Sequence, residues 1–186
     1  NLNIIPLKVA KPTTPSYQYV YTGKLITFEV PGYDENTMNI EGNTGTNAGK
    51  YNVTISLKNQ NYRWEDSSFE NVVVTVEIAK ANMSVYDSSK SKEFDYDGKP
   101  HSISMDISYS AGAILRYMDE NEEYTLTKLP EYIEPGTYVI KYKLYLDENH
   151  KEYYSERTLT INKSTNLITY YANDGTDNNV EANVDN

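Results

Sequence analysis

The feature that most constrains the fold of this chain is a short motif that occurs twice. The stretch YVYTGKL at residues 19–25 returns as FDYDGKP at residues 94–100. In each copy a Thr-Gly or Asp-Gly pair stands before a run of alternating apolar residues, and glycine tolerates the positive φ of a tight turn. Each copy therefore predicts a turn followed by a strand with one buried face, formed by Ile26, Phe28 and Val30 or by Ile103, Met105 and Ile107.

The second copy also looks like the start of a calcium-binding loop, because Asp95 and Asp97 stand beside Gly98. The first copy has Val20 and Thr22 at the two aspartate positions. A valine side chain cannot coordinate a cation. The feature common to both copies is therefore the turn, and cation coordination is not what they share.

Two further landmarks recur in the same order. NAGKYNVTISL at residues 47–57 corresponds to EPGTYVIKYKL at 134–144, and VTVEIAKAN at 74–82 corresponds to RTLTINKST at 157–165. Repetition at this length indicates tandem domains. Strands at short spacing, with turn signals between them and no convincing amphipathic helix, predict an all-β fold. We expect two β-sandwich domains with the same strand plan, at residues 1–80 and 81–163.

The Gly-x-Tyr pattern in residues 47–57 and 134–144 indicates which type of sandwich to expect. In immunoglobulin-like domains a tyrosine near the start of strand F forms a corner, two residues before a cysteine. Tyr51 and Tyr138 occupy that place here, whereas Val53 and Ile140 stand where the cysteine would be. The chain has no cysteine, so aliphatic packing is expected to replace the disulfide bond, each fully buried Val or Ile contributing roughly 1.5 to 3 kcal/mol. The predicted inward residues are Tyr51, Val53, Ile55 and Leu57, and Tyr138, Ile140, Tyr142 and Leu144.

Charge and hydropathy exclude two classes of partner. Seventeen Lys and Arg against 27 Asp and Glu give a net charge of -10, which repels nucleic-acid phosphates and anionic lipids. The longest aliphatic stretch, residues 71–78, is far shorter than the roughly 20 residues of a membrane-spanning helix. We expect no nucleic-acid partner and no membrane insertion. Because the chain begins without Met or a signal segment, it is interpreted as a piece of a longer protein.

The joint between the two units is short. Only two residues separate Lys80 from the apolar alternation that begins at Met83, so the units are expected to be held end to end with limited bending.

The C-terminal extension has a different composition from the two units. Residues 164–186 form an acidic, Asn-rich extension without Lys or Arg. Within it, NLITYYA at residues 166–172 predicts a strand before an NDG turn. This strand is expected to dock, and it could begin a further module with a free edge.

No catalytic, cofactor-binding or metal-binding residues are predicted. A hydrolase needs a base, a nucleophile and an orienting group, and the only two histidines, His101 and His150, belong to no such set. The Ser-rich DSSKSK at residues 87–92 is interpreted as a solvated loop. The acidic run Asp119, Glu120, Glu122 and Glu123 is interpreted as an exposed loop and not as a facing glycosidase pair. Weak calcium binding by this run, or by Asp174 with Asp177, is the alternative.

Exposed aromatic residues could stack on sugar rings, and Trp64 in YRWED, residues 62–66, is the best single candidate. The corresponding stretch in the second unit, HKEYYSE at residues 150–156, is again aromatic, which favours a shared packing role. A covalent alternative is a Lys to Asn isopeptide bond beside a buried carboxylate, with Lys24 or Lys80 as the lysine. Sequence alone does not favour it.

The stretches VYTGK, GNTGTNAGKYNVTISLKNQNYRWED and VVVTVEIAKAN resemble the tandem immunoglobulin-like repeats of bacterial surface proteins. YDGKPHSISM, PGTYVIKYKLYLD and LTINK resemble a sister version. The resemblance implies a non-catalytic module outside the cell, stacked in series with neighbouring modules of its own chain as a spacer, or used for adhesion.

The alternative to a spacer is an adhesin or carbohydrate-binding module, free-standing or appended to a secreted enzyme. Its partner would be a host or cell-wall glycan or protein. The second unit has a longer middle, residues 110–129, and a net charge of 10 minus 15, or -5, against 7 minus 8, or -1, in the first. If either unit binds a partner through its loops, we expect the second to do so.

Overall fold

The computed structural model describes residues 5–171 and 179–185, and every regular element in them is a β-strand. The chain divides into two compact units. Unit 1 extends to Asn82 and also includes Asp147–Lys151, whereas unit 2 comprises Met83–Leu146 and the chain from Glu152 onward. The sequence pattern did not predict that Asp147–Lys151 belongs with unit 1.

Unit 1 contains a four-stranded sheet and several short strand pairs. Its strands are β1 (Leu7–Val9), β2 (Tyr19–Val20), β3 (Ile26–Thr27), β4 (Met38–Glu41), β5 (Thr44–Gly45), β6 (Gly49–Leu57), β7 (Tyr62–Trp64), β8 (Val72–Ala79) and β9 (Ala81–Asn82).

Unit 2 repeats the four-stranded sheet. Its strands are β10 (Val85–Asp87), β11 (Lys92–Asp95), β12 (Ile107–Tyr109), β13 (Ile114–Tyr117), β14 (Gly136–Tyr145), β16 (Tyr153–Asn162), β17 (Thr165–Tyr171) and β18 (Asn179–Asp185). The intervening β15 (His150–Lys151) lies in the segment that groups with unit 1, and it pairs in parallel with β9.

The main sheets of the two units have the same order. It is β2-β8-β6-β4 in unit 1 and β11-β16-β14-β13 in unit 2. The pairs β2–β8 and β11–β16 are parallel, and the other neighbours are antiparallel. The register also agrees, since Met38 pairs with Leu57 and Leu115 pairs with Leu144. Each unit is an immunoglobulin-like β-sandwich, and the all-β prediction is confirmed.

The smaller sheets are less alike. In unit 1 β3 pairs with β5, which sets Ile26 opposite Gly45. The corresponding residues of unit 2, His101 and Tyr132, form an isolated bridge, so the same pairing survives there as a single contact. Unit 2 instead pairs β10 with β12, and unit 1 pairs β1 with β7. The prediction of one strand plan therefore holds for the main sheets and only in part for the smaller ones.

Each unit has its own hydrophobic core. Val53 and Ile140, at the predicted cysteine positions, are buried, and Ile55, Tyr142 and Leu144 are buried on the same strands. The side chains of Tyr51, Leu57 and Tyr138 pack against these cores while partly exposed, which confirms the predicted inward faces of β6 and β14. The remaining core residues of unit 1 include Phe28, Met38, Trp64, Val74, Val76 and Ile78, and those of unit 2 include Ile103, Tyr117, Leu159 and Ile161.

The repeated motif is a turn in both units. Gly23 and Gly98 have φ values of 74° and 72°. The side-chain oxygen of Thr22 accepts a hydrogen bond from the amide of Lys24 at 3.3 Å, and that of Asp97 accepts one from the amide of Lys99 at 2.9 Å. Thr and Asp are interchangeable here because each caps the same turn through a side-chain oxygen.

The tyrosine corner also occurs twice. The hydroxyl of Tyr51 donates to the carbonyl of Asn47 at 2.7 Å, and that of Tyr138 donates to the carbonyl of Glu134 at 2.9 Å. Both bonds run four residues back along the chain, from the start of a central strand to the preceding connection. The prediction drawn from the Gly-x-Tyr landmark is confirmed in each unit.

The strand predicted at residues 166–172 is present as β17. It pairs antiparallel with β18 over its whole length, and the two strands form a two-stranded sheet of their own. The NDG turn predicted after it, together with Asp174 and Asp177, lies outside the described residues.

Candidate ligand-binding cleft

The outward face of the main sheet of unit 2 carries aromatic and basic side chains. Alternate residues of β14 face the core, so Lys143 faces outward. The strand register places Arg116 of β13 on one side of Lys143 and Tyr154 of β16 on the other. A row of two cations and one aromatic ring therefore crosses three neighbouring strands.

A cleft of about 360 Å³ opens on this face, and we call it the outer-face cleft. This volume falls within the range of small-ligand sites. Tyr124 reaches the cleft from the connection between β13 and β14, and it belongs to the longer middle at residues 110–129. The residues that line it are Ile114, Arg116, Tyr124, Lys143, Tyr145 and Glu152.

The rings beside the cleft are held by a cation. The ammonium of Lys143 lies 5.4 Å from the ring centroid of Tyr124 and 5.9 Å from that of Tyr154. The two rings are 5.6 Å apart in an edge-to-face arrangement with an interplanar angle of 67°. Cation–π and edge-to-face contacts are both attractive, so they hold Tyr124 over the sheet although it comes from a loop.

A hydrogen-bonded carboxylate completes this cluster. The ammonium of Lys143 lies 3.4 Å from Oε1 of Glu152, and the hydroxyl of Tyr154 donates to Oε2 of the same residue. The hydrogen bond to Glu152 raises the pKa of Tyr154 to about 12. Tyr154 therefore stays protonated at neutral pH and holds the Glu152 carboxylate at the rim.

Arg116 differs from Lys143 in its partners. Its side chain is half-buried, and one guanidinium nitrogen donates to the carbonyl of Leu115 at 2.9 Å. Among the described residues, no carboxylate forms an ion pair with Arg116. A guanidinium has five N–H donors, so the bond to Leu115 uses only a small part of the donor capacity of Arg116, which lines the cleft.

Unit 1 lacks this arrangement. When Gly49 is aligned on Gly136, Lys143 corresponds to Ser56, whose register partner Asn39 corresponds to Arg116. Aligning Ile78 on Ile161 sets Asn71 at the position of Tyr154. A cleft of about 420 Å³ in unit 1 has a single aromatic residue, Tyr33, in its lining. The aromatic and basic row is therefore specific to unit 2.

A second polar cluster of unit 2 is buried inside the sandwich. Asp87, at the end of β10, has a side chain 4% exposed. One of its carboxylate oxygens accepts hydrogen bonds from the hydroxyls of Tyr142 at 2.7 Å and Tyr153 at 2.9 Å, and lies 3.3 Å from the guanidinium of Arg157. The other oxygen accepts the amide of Ser89 at 3.0 Å. The carboxylate is thus fully used in holding three elements together.

Burial opposes ionisation of Asp87, but the hydrogen bonds from Tyr142, Ser89 and Tyr153 outweigh it and lower the pKa to about 2. The prediction that residues 87–92 form a solvated loop is wrong at Asp87 and at Ser89, which is also buried. The overlooked signal was period two, because Asp87 and Ser89 continue the inward alternation of Val85. Arg157 was overlooked for the same reason, since it occupies an inward position of β16.

Trp64 is not a surface platform. It is fully buried, and its indole nitrogen donates to the carbonyl of Glu70 at 2.8 Å. The interpretation of Trp64 as a packing residue is confirmed. In the corresponding stretch of unit 2 the aromatic residues divide, because Tyr153 packs against the core and Tyr154 is 54% exposed beside the outer-face cleft.

The acidic and histidine candidates are used in local structure. Asp119 accepts the amides of Asn121 at 2.9 Å and Glu123 at 3.0 Å, so it organises its own loop, as expected of this exposed run. His101 lies 2.7 Å from Asp97 of the repeated turn, and His150 lies 2.8 Å from Asp147.

Lys24 and Lys80, the lysines considered for an isopeptide bond, are exposed. The buried carboxylate of unit 2 is paired with an arginine. Within the part of the chain that the structure describes, no three His, Asp or Glu side chains are grouped as metal ligands, and no helix is long and apolar enough to cross a bilayer.

The chain matches no family model, and no curated protein is significantly similar to it. Among solved structures it is similar to the fibronectin(III)-like modules of Clostridium thermocellum CbhA, with 14% identity, 83% of this chain and 91% of that chain covered, and a TM-score of 0.32. It is also similar to the EC1-3 region of Drosophila N-cadherin, with 10% identity, coverage of 87% and 69%, and a TM-score of 0.34. At TM-scores this low, the fold assignment rests on the strand order of the chain itself.

Proposed function

We propose that this chain is a non-catalytic spacer segment of a bacterial cell-surface or secreted protein, joined in series to neighbouring modules outside the cell. The observation that carries the proposal is that each main sheet contains one parallel pair, β2 with β8 in unit 1 and β11 with β16 in unit 2, which joins the first and the last of its strands in sequence. The resemblance of the repeated landmarks to bacterial surface repeats supports the setting.

Parallel pairing suits a module that is pulled from its two ends. When β2 and β8 are drawn apart along their axes, their shared hydrogen bonds are loaded together in shear and do not open one after another. The same holds for β11 and β16. Two residue pairs join the strands in unit 1 and four join them in unit 2, so unit 2 should resist the greater force.

Single-molecule pulling on the whole chain tests this proposal. We expect two separate unfolding events, each releasing about 80 residues and lengthening the tether by roughly 27 nm at about 3.4 Å per residue. Tyr96→Pro removes the amide that donates to Asn162 at 3.0 Å and should weaken only the stronger event. Tyr21→Pro removes the equivalent bond to Ala79, at 2.9 Å, and should weaken only the other. A single event, or a featureless low-force extension, would contradict the spacer function.

The second candidate function is adhesion by unit 2 through the outer-face cleft. The observation that favours it is the concentration of Tyr124, Lys143 and Arg116 at positions where unit 1 offers small polar side chains or no counterpart. Binding of the whole chain to a mixed glycan and cell-wall array should be saturable and should be lost in Tyr124→Ala. Lys50→Ala, an exposed change on unit 1, should retain it. If no glycan or wall component binds, adhesion is excluded, and the spacer function is tested by the pulling experiment alone.

A further inference from the structure

The charge of the outer-face cleft is opposite to that of its surroundings. Positions 81–163, the predicted second domain, carry 10 basic and 15 acidic residues, a net charge of -5. The lining of the cleft has two cations, Arg116 and Lys143, and one carboxylate, Glu152. Glu152 is engaged with Lys143 and Tyr154, which leaves Arg116 as the cation of the cleft without a carboxylate partner among the described residues. A ligand that supplies one carboxylate would balance the site.

The guanidinium of Arg116 sets the geometry of that contact. Its planar fork presents parallel N–H groups that match the two oxygens of a carboxylate, and such bidentate bonds are stronger than neutral hydrogen bonds. The side chain is half-buried and tied to the carbonyl of Leu115, so less rotamer freedom is lost when a ligand binds. Arg116 is therefore a preorganised site for a carboxylate.

The rest of the cleft suits a polyhydroxylated ring. The face of an aromatic ring is electron-rich and attracts the polarised C–H groups on one face of a sugar. Tyr124 and Tyr145 provide rings, and the carboxylate of Glu152 provides an acceptor for hydroxyl groups. A purely apolar ligand would offer no acceptor to the guanidinium of Arg116, at a cost in affinity. The volume of about 360 Å³ accommodates one or two sugar rings.

We infer that the outer-face cleft of unit 2 binds a carboxylate-bearing sugar, of the uronic-acid or sialic-acid type, with its carboxylate on Arg116 and its ring against Tyr124. This inference rests on the adhesive function proposed for unit 2. It assigns Arg116 as the residue that distinguishes acidic from neutral sugars, because the other lining groups contact hydroxyls and ring carbons present in both.

Titration of the whole chain with defined oligosaccharides tests the inference. One arm uses tetragalacturonate against the same oligosaccharide after reduction of its carboxyl groups, and the other uses sialyllactose against lactose. We expect saturable binding in at least one acidic arm and binding at least about tenfold weaker to its neutral counterpart. Amide shifts in NMR spectra should be confined to β13, β14, β16 and the loop that carries Tyr124.

Arg116→Gln should lower the affinity for the acidic sugar to the affinity for the neutral one. Arg116→Lys keeps the charge but loses the planar fork, so its affinity for the acidic sugar should lie between those of the parent and Arg116→Gln. Lys50→Gln on the outer face of unit 1 is the matched control and should bind as the parent does. Equal binding of acidic and neutral sugars would overturn the acidic class and leave adhesion standing. The inference would also be overturned by full affinity in folded Arg116→Gln, by preference for an acidic peptide, or by no binding in either arm. The pulling experiment tests the spacer function independently.

Discussion

The hydroxyl of Tyr142 donates a hydrogen bond of 2.7 Å to the carboxylate of Asp87, although the two residues are 55 positions apart and lie on different sheets of unit 2. Tyr142 stands two residues after Ile140, which occupies the place of the usual cysteine. A polar link between the sheets thus lies beside the position where a disulfide bond would join them. Unit 2 combines it with aliphatic packing, whereas the core cluster of unit 1 consists of apolar side chains.

Removal of the Asp87 charge should destabilise unit 2 selectively. Asp87→Asn keeps the size of the side chain but leaves Arg157 without its counter-charge, which we expect to cost roughly 3 kcal/mol in the free energy of unfolding. The effect is measured by urea unfolding followed through NMR signals of Ile140 and Leu159. Trp64 is the only tryptophan and lies in the core of unit 1, so its fluorescence transition should not move.

Asp66→Asn is the matched control for that prediction. Asp66 also pairs with a cation, Lys11 at 2.6 Å, but both side chains are about half exposed. Solvent screens such pairs, so the substitution should leave the stability of both units nearly unchanged. Equal losses from the two substitutions would contradict a structural role for burial of the Asp87 pair.

The carboxylate of Asp87 should also make the free energy of unfolding of unit 2 fall at low pH. The pKa of Asp87 is lowered from 3.8 to about 2 in the folded state, so the unfolded chain takes up the proton first as the pH falls. The ionised group stabilises the fold fully above about pH 4, and about 2 kcal/mol is lost as the pH falls toward 2. Subtracting the pH profile of Asp87→Asn from that of the parent isolates this contribution. A flat difference between pH 4 and pH 2 would exclude it.

The two tyrosine corners should contribute similarly to their units. Tyr51→Phe and Tyr138→Phe each remove one hydroxyl that donates to a backbone carbonyl, with an expected loss of about 1 kcal/mol in the unit concerned. Tyr86→Phe is the control, because Tyr86 is 67% exposed and should be neutral. Thermal unfolding of the three variants checks the prediction, and a corner variant that behaves like Tyr86→Phe would show that its hydroxyl adds nothing.

Two glycines should respond to alanine for different reasons. A Cβ at Gly98 would have no atom within 4 Å. Gly98→Ala should therefore lower the free energy of unfolding only through the strain of a φ of 72°, by about 1 kcal/mol. A Cβ at Gly45 would lie 2.6 Å from the ring of Tyr51 and 2.9 Å from that of Phe28. Gly45→Ala should cost more, about 2 to 3 kcal/mol, because the core of unit 1 must move. Denaturant midpoints compare the two, and a costlier Gly98→Ala would reverse this explanation.

The parts of the fold that sequence predicts well are those with local signals. The turns at Gly23 and Gly98 follow from the need of a tight turn for positive φ, and the corners at Tyr51 and Tyr138 follow from their spacing to buried residues. Each was also present twice, so a chance pattern in one unit could be recognised by comparison with the other.

The parts that sequence does not predict depend on distant residues. Asp87 and Arg157 are 70 positions apart in sequence, and a polar pair facing a core looks like a surface pair until the strands are placed. The outer-face cleft joins Tyr124 from the connection before β14 with Lys143 of β14 and with Glu152, which lies between β15 and β16, so no single stretch contains it. Only the expectation that unit 2 is the candidate for binding came from sequence, through its longer middle.

The position of β16 within its sheet has a consequence for the timing of biogenesis. This strand is the last of the four to leave the ribosome, yet it lies between β11 and β14 and carries the arginine that neutralises Asp87. Until it arrives, β11 has no neighbour in the main sheet and a buried charge is uncompensated. Unit 2 therefore cannot complete its main sheet before residue 162 has been synthesised, because neither β11 nor β14 can form its pairing with β16 until then.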